Sequence, residues 1–118
     1  MKWINIIGDR NLTLAAIQTM QHTDAVRAYH VSDDRFCVEY PDGHIFFDYD
    51  TDLSDWQEEI DKLPFRAGAV IMIVYQNAAD VRHVLTQTDF PQNVYVDNDF
   101  GVLLPLQGFI AAGMPMEE

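Results

Sequence analysis

Arg35-Phe36-Cys37-Val38-Glu39-Tyr40-Pro41-Asp42-Gly43-His44-Ile45-Phe46-Phe47-Asp48-Tyr49-Asp50 is the stretch whose reading decides the fold. Apolar and aromatic residues recur at every second position through Phe36, Val38 and Tyr40, then through Ile45, Phe47 and Tyr49. That is the period of a half-buried strand. Between the runs lies Asp42-Gly43, a pair that favours the type I′ turn of a tight β-hairpin. With that turn, Tyr40 faces Ile45, Val38 faces Phe47 and Phe36 faces Tyr49, so one side of the hairpin is wholly apolar or aromatic. The other side sets Glu39 against Phe46, Cys37 against Asp48 and Arg35 against Asp50. A slip by one residue would bury Asp48 and Asp50 unpaired, at roughly several kcal/mol each. Outward carboxylates are thus a consequence of strand register.

Working outward, Lys2 to Ile7 is rich in bulky β-formers and predicts a first strand with apolar side chains on both faces. Leu12 to Gln21 places Leu14, Ile17 and Met20 on one helical face, with Asn11 or Thr13 as N-cap. Ala25 to Val31 predicts a strand joined to Arg35–Tyr40 through Ser32, Asp33 and Asp34. Ser54 with Gln57 fits a capping box, and Asp55, Glu58 and Glu59 suit the start of a helix that runs to about Lys62 before Pro64. Ala67 to Tyr75 is a nearly unbroken β-branched run and predicts the central strand. Asn77 caps a helix over Ala78 to Thr88, Asn93 to Asp97 begins another strand, and Gly101 to Leu106 offers a last one. The expectation is a single α/β (α+β) domain over residues 1–118, with a mixed, partly antiparallel sheet, about three helices and the order βαβββαβαβ. Residues 107–118 form a C-terminal tail, expected to be loosely ordered at its end.

The chain has 118 residues, 48% of them hydrophobic, enough for one core in one domain. Cys37 is its single cysteine, so no intrachain disulfide exists and a reducing compartment is expected. The first residues lack the continuous apolar stretch of a secretory signal, and the 100–113 apolar stretch is too interrupted to span a bilayer. A cytoplasmic location is the expectation. With a net charge of −12, the chain repels phosphates and anionic headgroups, which argues against nucleic acid and membrane surfaces as partners. Basic proteins are the natural counterparts.

Asp48, Asp50 and Asp52 with Glu59 approach the donor spacing of a calcium loop, but Leu53 stands where such a loop needs glycine. The spacing is read as alternating outward carboxylates followed by helix-start carboxylates. Cys37 lies amid Glu39 and Asp48, which raises a thiol pKa and marks it as structural. The four histidines, His22, His30, His44 and His83, form no metal-ligand spacing. Gly8-Asp9-Arg10-Asn11 sits where α/β proteins often bind phosphate, yet it has one glycine and matches no phosphate-loop pattern, so it is read as a connecting turn. No catalytic residue, metal or cofactor is assigned.

From Asp33 to Asp61 there are eleven carboxylates and one cation, Arg35. Concentrated charge interleaved with aromatics suits recognition of a cationic protein, with Glu39, Asp42, Asp48, Asp50, Asp52, Asp55, Glu58 and Glu59 supplying charge and Phe46, Tyr49 and Trp56 as anchors. In size, charge and compartment the chain is similar to small acidic immunity proteins. That resemblance implies a bacterial antitoxin blocking a basic toxin such as a nuclease, and not an enzyme. Two alternatives accompany it. One is a small enzyme or divalent-metal protein using Asp48, Asp50 and Asp52, or Asp9 with His22. The other is a homo-oligomeric regulatory subunit joined through the apolar 101–112 segment.

Overall fold

A computed structural model of the chain describes residues 2–118. They form seven strands: β1 Lys2–Gly8, β2 Arg27–Ser32, β3 Arg35–Tyr40, β4 Gly43–Asp50, β5 Ala69–Tyr75, β6 Tyr95–Asp97 and β7 Leu103–Pro105. Four short helices accompany them: α1 Leu14–Gln18, α2 Gln57–Ile60, α3 Ala78–Leu85 and α4 Leu106–Ala111. The strands make one sheet in the order β2-β3-β4-β5-β1-β6-β7, and every pairing is antiparallel. This is a single α/β domain dominated by its strands, with β5 at the middle of the sheet.

Period-two burial explains the layering. Ile4 and Ile6 of β1, Ile71 and Ile73 of β5, Ile45 and Phe47 of β4, and Phe36 and Val38 of β3 point to one face. There they meet Leu14 and Ile17 of α1, Val81, Val84 and Leu85 of α3, and Leu106 and Phe109 of α4. Each fully buried aliphatic or aromatic side chain contributes about 1.5–3 kcal/mol, and this helix-covered face is the core. On the opposite face Ile7 and Val70 are also fully buried. They lie where the long connection between β4 and β5 leaves and re-enters the sheet. Its Leu53, Trp56, Ile60 and Leu63 are half-buried without joining the helix-side core.

The hairpin register differs from the expectation by two residues. Tyr40 pairs with Gly43, Val38 with Ile45, Phe36 with Phe47 and Arg35 with Asp48. In the expected register Pro41 flanks the turn, where the ladder needs a backbone N–H that proline lacks; with φ fixed near −65° it instead takes the first central position of a Pro41-Asp42 turn that Gly43 closes. Neither Asp42 nor Gly43 has a positive φ. A shift of two preserves the parity of both strands, so the apolar side stays apolar and only the partners change.

Local signals set the other boundaries. Thr13 caps α1 through Ala16 N–H, and Asn77 caps α3 through Ala79 N–H. Both helices are shorter than their periodicity suggests. Thr19 and Thr86 end them, each hydroxyl turning back to carbonyls three and four residues earlier. The Ser54–Gln57 capping box does not form. Ser54 opens a 3-10 turn, Ser54–Trp56, and it is Asp52 that accepts the Ser54 N–H. In 107–118, Met114 and Met116 pack on the core, the Glu117 carbonyl accepts the Tyr75 hydroxyl at 2.6 Å, and Glu118 pairs with Arg82.

Candidate functional site

The face of the sheet opposite α1, α3 and α4 carries a row of side chains across five strands: Tyr29, Cys37, Phe46, Val74 and Trp3. The row is in register because each residue is the antiparallel partner of the next. Trp3, at 39% exposure, is open to solvent, while Tyr29 and Phe46 are half-buried. Charges flank the row, and they are paired. Arg35 Nε and Nη2 donate to Asp48 Oδ1 and Oδ2 at 2.5 and 2.8 Å, and the guanidinium lies 4.6 Å from the Phe46 ring centroid. This charge-assisted bond raises the Arg35 pKa. On the other flank Arg27 pairs with Glu39 at 3.5 Å and sits 4.2 Å from the Tyr29 ring, while the Tyr29 hydroxyl donates to Glu39. Cys37 lies buried between these pairs, opposite Tyr29 and Phe46 rather than Asp48, and burial pushes its thiol pKa up.

The carboxylates named from sequence therefore divide. Glu39 and Asp48 are neutralised across strands. Asp42, Asp50, Asp52, Asp55, Glu58 and Glu59 have no ion-pair partner among the described residues. Asp42 lies in the β3–β4 turn, a hairpin length of roughly 25 Å from Asp50. Asp50 ends β4, and Asp52, Asp55, Glu58 and Glu59 follow it in the connection to β5. Tyr49 N–H donates to the Asp34 carbonyl at 2.8 Å, which ties the Asp33-Asp34 turn to the end of β4. Asp50 Oδ1 accepts Asp52 N–H at 2.8 Å and Asp52 Oδ1 accepts Ser54 N–H at 3.2 Å, so successive carboxylates hold the loop in shape. The Ser54 hydroxyl and N–H keep the Asp52 pKa below the ordinary carboxylate range.

The chain matches no known protein family, and no curated protein or solved structure matches it.

Of the aromatic residues named from sequence, Phe46 is on the open face, under Arg35. Trp56 is half-buried within the β4–β5 connection, between Asp55 and the glutamates of α2. Tyr49 faces the other way and packs on the helix-side core. Asp48, Asp50 and Asp52 do not converge on one point, since Asp48 is held by Arg35 and the other two bind backbone N–H groups. No group of three histidine, cysteine or acidic residues among the described residues is arranged around a common metal position. His22 is turned to the Ile17 carbonyl, 2.9 Å away. In the apolar 101–112 segment, Leu106 and Phe109 are core residues. Sequence reasoning missed Arg27 and Tyr29 as members of the face. Their two-residue spacing along β2 was the available signal.

Proposed function

We propose that this chain is a protein-binding module whose acidic sheet end, Asp33–Asp34 with Asp50–Glu59, takes a cationic protein. The observation that carries this reading is the division of charge. Glu39 and Asp48 are each matched across strands by an arginine, whereas Asp50, Asp52, Asp55, Glu58 and Glu59 have no ion-pair partner among the described residues, and Asp50 and Asp52 shape their loop by accepting its backbone N–H groups. Unmatched like charge is self-repelling, and a basic surface converts that repulsion into attraction and faster encounter. Half-buried Trp56 within the acidic segment supplies an apolar group to slow dissociation. The specific form is an inhibitor of a basic toxin. A nuclease must present lysine and arginine to phosphate, and an acidic loop can occupy that surface.

The test is comparative capture from the source cell at low salt, using the native chain and the triple variant Asp50→Asn, Asp52→Asn, Asp55→Asn. Asparagine keeps the acceptor oxygens that shape the loop, so folding is retained. The expected result is a basic protein held by the native chain, released by salt, and lost or associating about tenfold more slowly with the variant. Identical capture by both chains would remove the basis of the proposal.

A further inference from the structure

Three adjoining cavities surround Asp9, at the end of β1, on the side of the sheet away from β2 and β3. One, of about 590 Å3, has Arg10 and Arg66 in its wall. Next to it a cavity of about 320 Å3 is lined by Phe65, Tyr95 and Pro105. A third, of about 170 Å3, continues along Asn11 and Asn93. Asp9 lines all three.

The base of this cleft is rigid. Asp9 Oδ1 accepts Asn11 N–H at 2.8 Å, and Gly68 N–H donates to the Gly8 carbonyl at 2.9 Å. A Cβ on Gly68 would stand 2.5 Å from the Arg10 nitrogen, so only glycine lets the two backbones meet. Phe65 packs on Tyr95 with ring centroids 5.7 Å apart. The charges are uncommitted. Neither Arg10 nor Arg66 has a side-chain hydrogen bond or ion pair among the described residues, and Asp9 pairs with no cation. Opposite charges share one cleft without neutralising each other, beside an aromatic wall.

We infer that this cleft binds a small zwitterion bearing a planar apolar group, the chemistry of an aromatic α-amino acid. Arg10 and Arg66 take the carboxylate, Asp9 takes the ammonium, and Phe65 with Tyr95 receives the ring. Zero net charge suits a ligand for a chain of charge −12.

The experiment is an NMR titration of the whole chain with L-phenylalanine, N-acetyl-L-phenylalanine and L-phenylalaninamide, repeated on Asp9→Asn and Arg66→Gln. Asparagine at position 9 retains the acceptor for Asn11 N–H, Arg66 is exposed, and unchanged spectra away from the cleft verify folding. L-Phenylalanine is expected to shift Phe65 and Tyr95 saturably, with Kd on the order of 1 mM. Each blocked analogue and each variant should weaken binding by about tenfold or more. Absence of saturable shifts with L-phenylalanine would overturn the inference. So would equal binding of either analogue, which would assign the cleft to a peptide terminus instead of a free zwitterion.

Discussion

Arg35 and Asp48 face each other across the β3–β4 ladder and share two parallel N–H···O bonds above the ring of Phe46. Both side chains are partly exposed, at 41% and 28%, so solvent screening limits what the pair contributes. A double-mutant cycle with Arg35→Gln and Asp48→Asn should give a coupling of about 0.5–1 kcal/mol in urea denaturation, the upper part of the range for exposed pairs because the geometry is bidentate. A coupling of zero would show that the pair is ornamental to stability.

Gly68→Ala should be costly. The added methyl group meets the backbone of Asp9 and Arg10, which cannot rotate out of the way as a flexible side chain would. The expected loss is about 2 kcal/mol or more of stability, seen as a lower midpoint of unfolding. A neutral Gly68→Ala would mean that the close approach of these two segments is absent in solution.

Tyr40 carries a buried hydroxyl without a hydrogen-bond partner, and burial, with Asp80 and Asp24 adding to it, pushes its pKa up to about 12. Replacement by phenylalanine removes a desolvated polar group and keeps the ring that meets His83. Tyr40→Phe should therefore raise stability by about 1 kcal/mol. Spectrophotometric titration should show one tyrosine fewer ionising near 12. A clear loss of stability would place a partner on that hydroxyl.

Burial lowers the pKa of His22, against the opposing pull of the Ile17 carbonyl and Asp89. Its folded pKa lies below the ordinary value of about 6.5. The unfolded chain then binds the proton first as pH falls. Stability from this group is complete above about 6.5 and is lost as pH drops through the lower folded value. The His22 ring protons, followed by NMR, should titrate below those of an unfolded control, and a titration at or above the control would contradict the burial.

How much of this was legible in the sequence depended on how local each signal was. The alternation from Phe36 to Tyr49 carried the faces of β3 and β4, and the β-branched run from Ala69 to Tyr75 carried the sheet centre, because side-chain period and burial are properties of the segment itself. Asp42-Gly43 alone predicts the wrong hairpin partners, because the register also depends on Pro41, which has no N–H for the ladder and suits the first central position of the turn. The sequence predicts strand end and tail where α4 forms, since Gly108 and the flanking prolines mask a short helix whose Leu106 and Phe109 are held by tertiary packing. Cross-strand neutralisation of Glu39 and Asp48 needed the register. The cleft around Asp9 joins residues near positions 10, 66 and 94, and nothing in any one segment announces that meeting.

The sheet order also sets the timetable of assembly. β1 is hydrogen-bonded to β5 on one side and β6 on the other, so its earliest native neighbour is encoded by residues 69–75. During synthesis this apolar strand emerges ahead of both partners and has to wait, unpaired, until residues 69–75 follow, while β2, β3 and β4 can zip together at once. Until then β1 is consequently a segment in need of chaperone shelter.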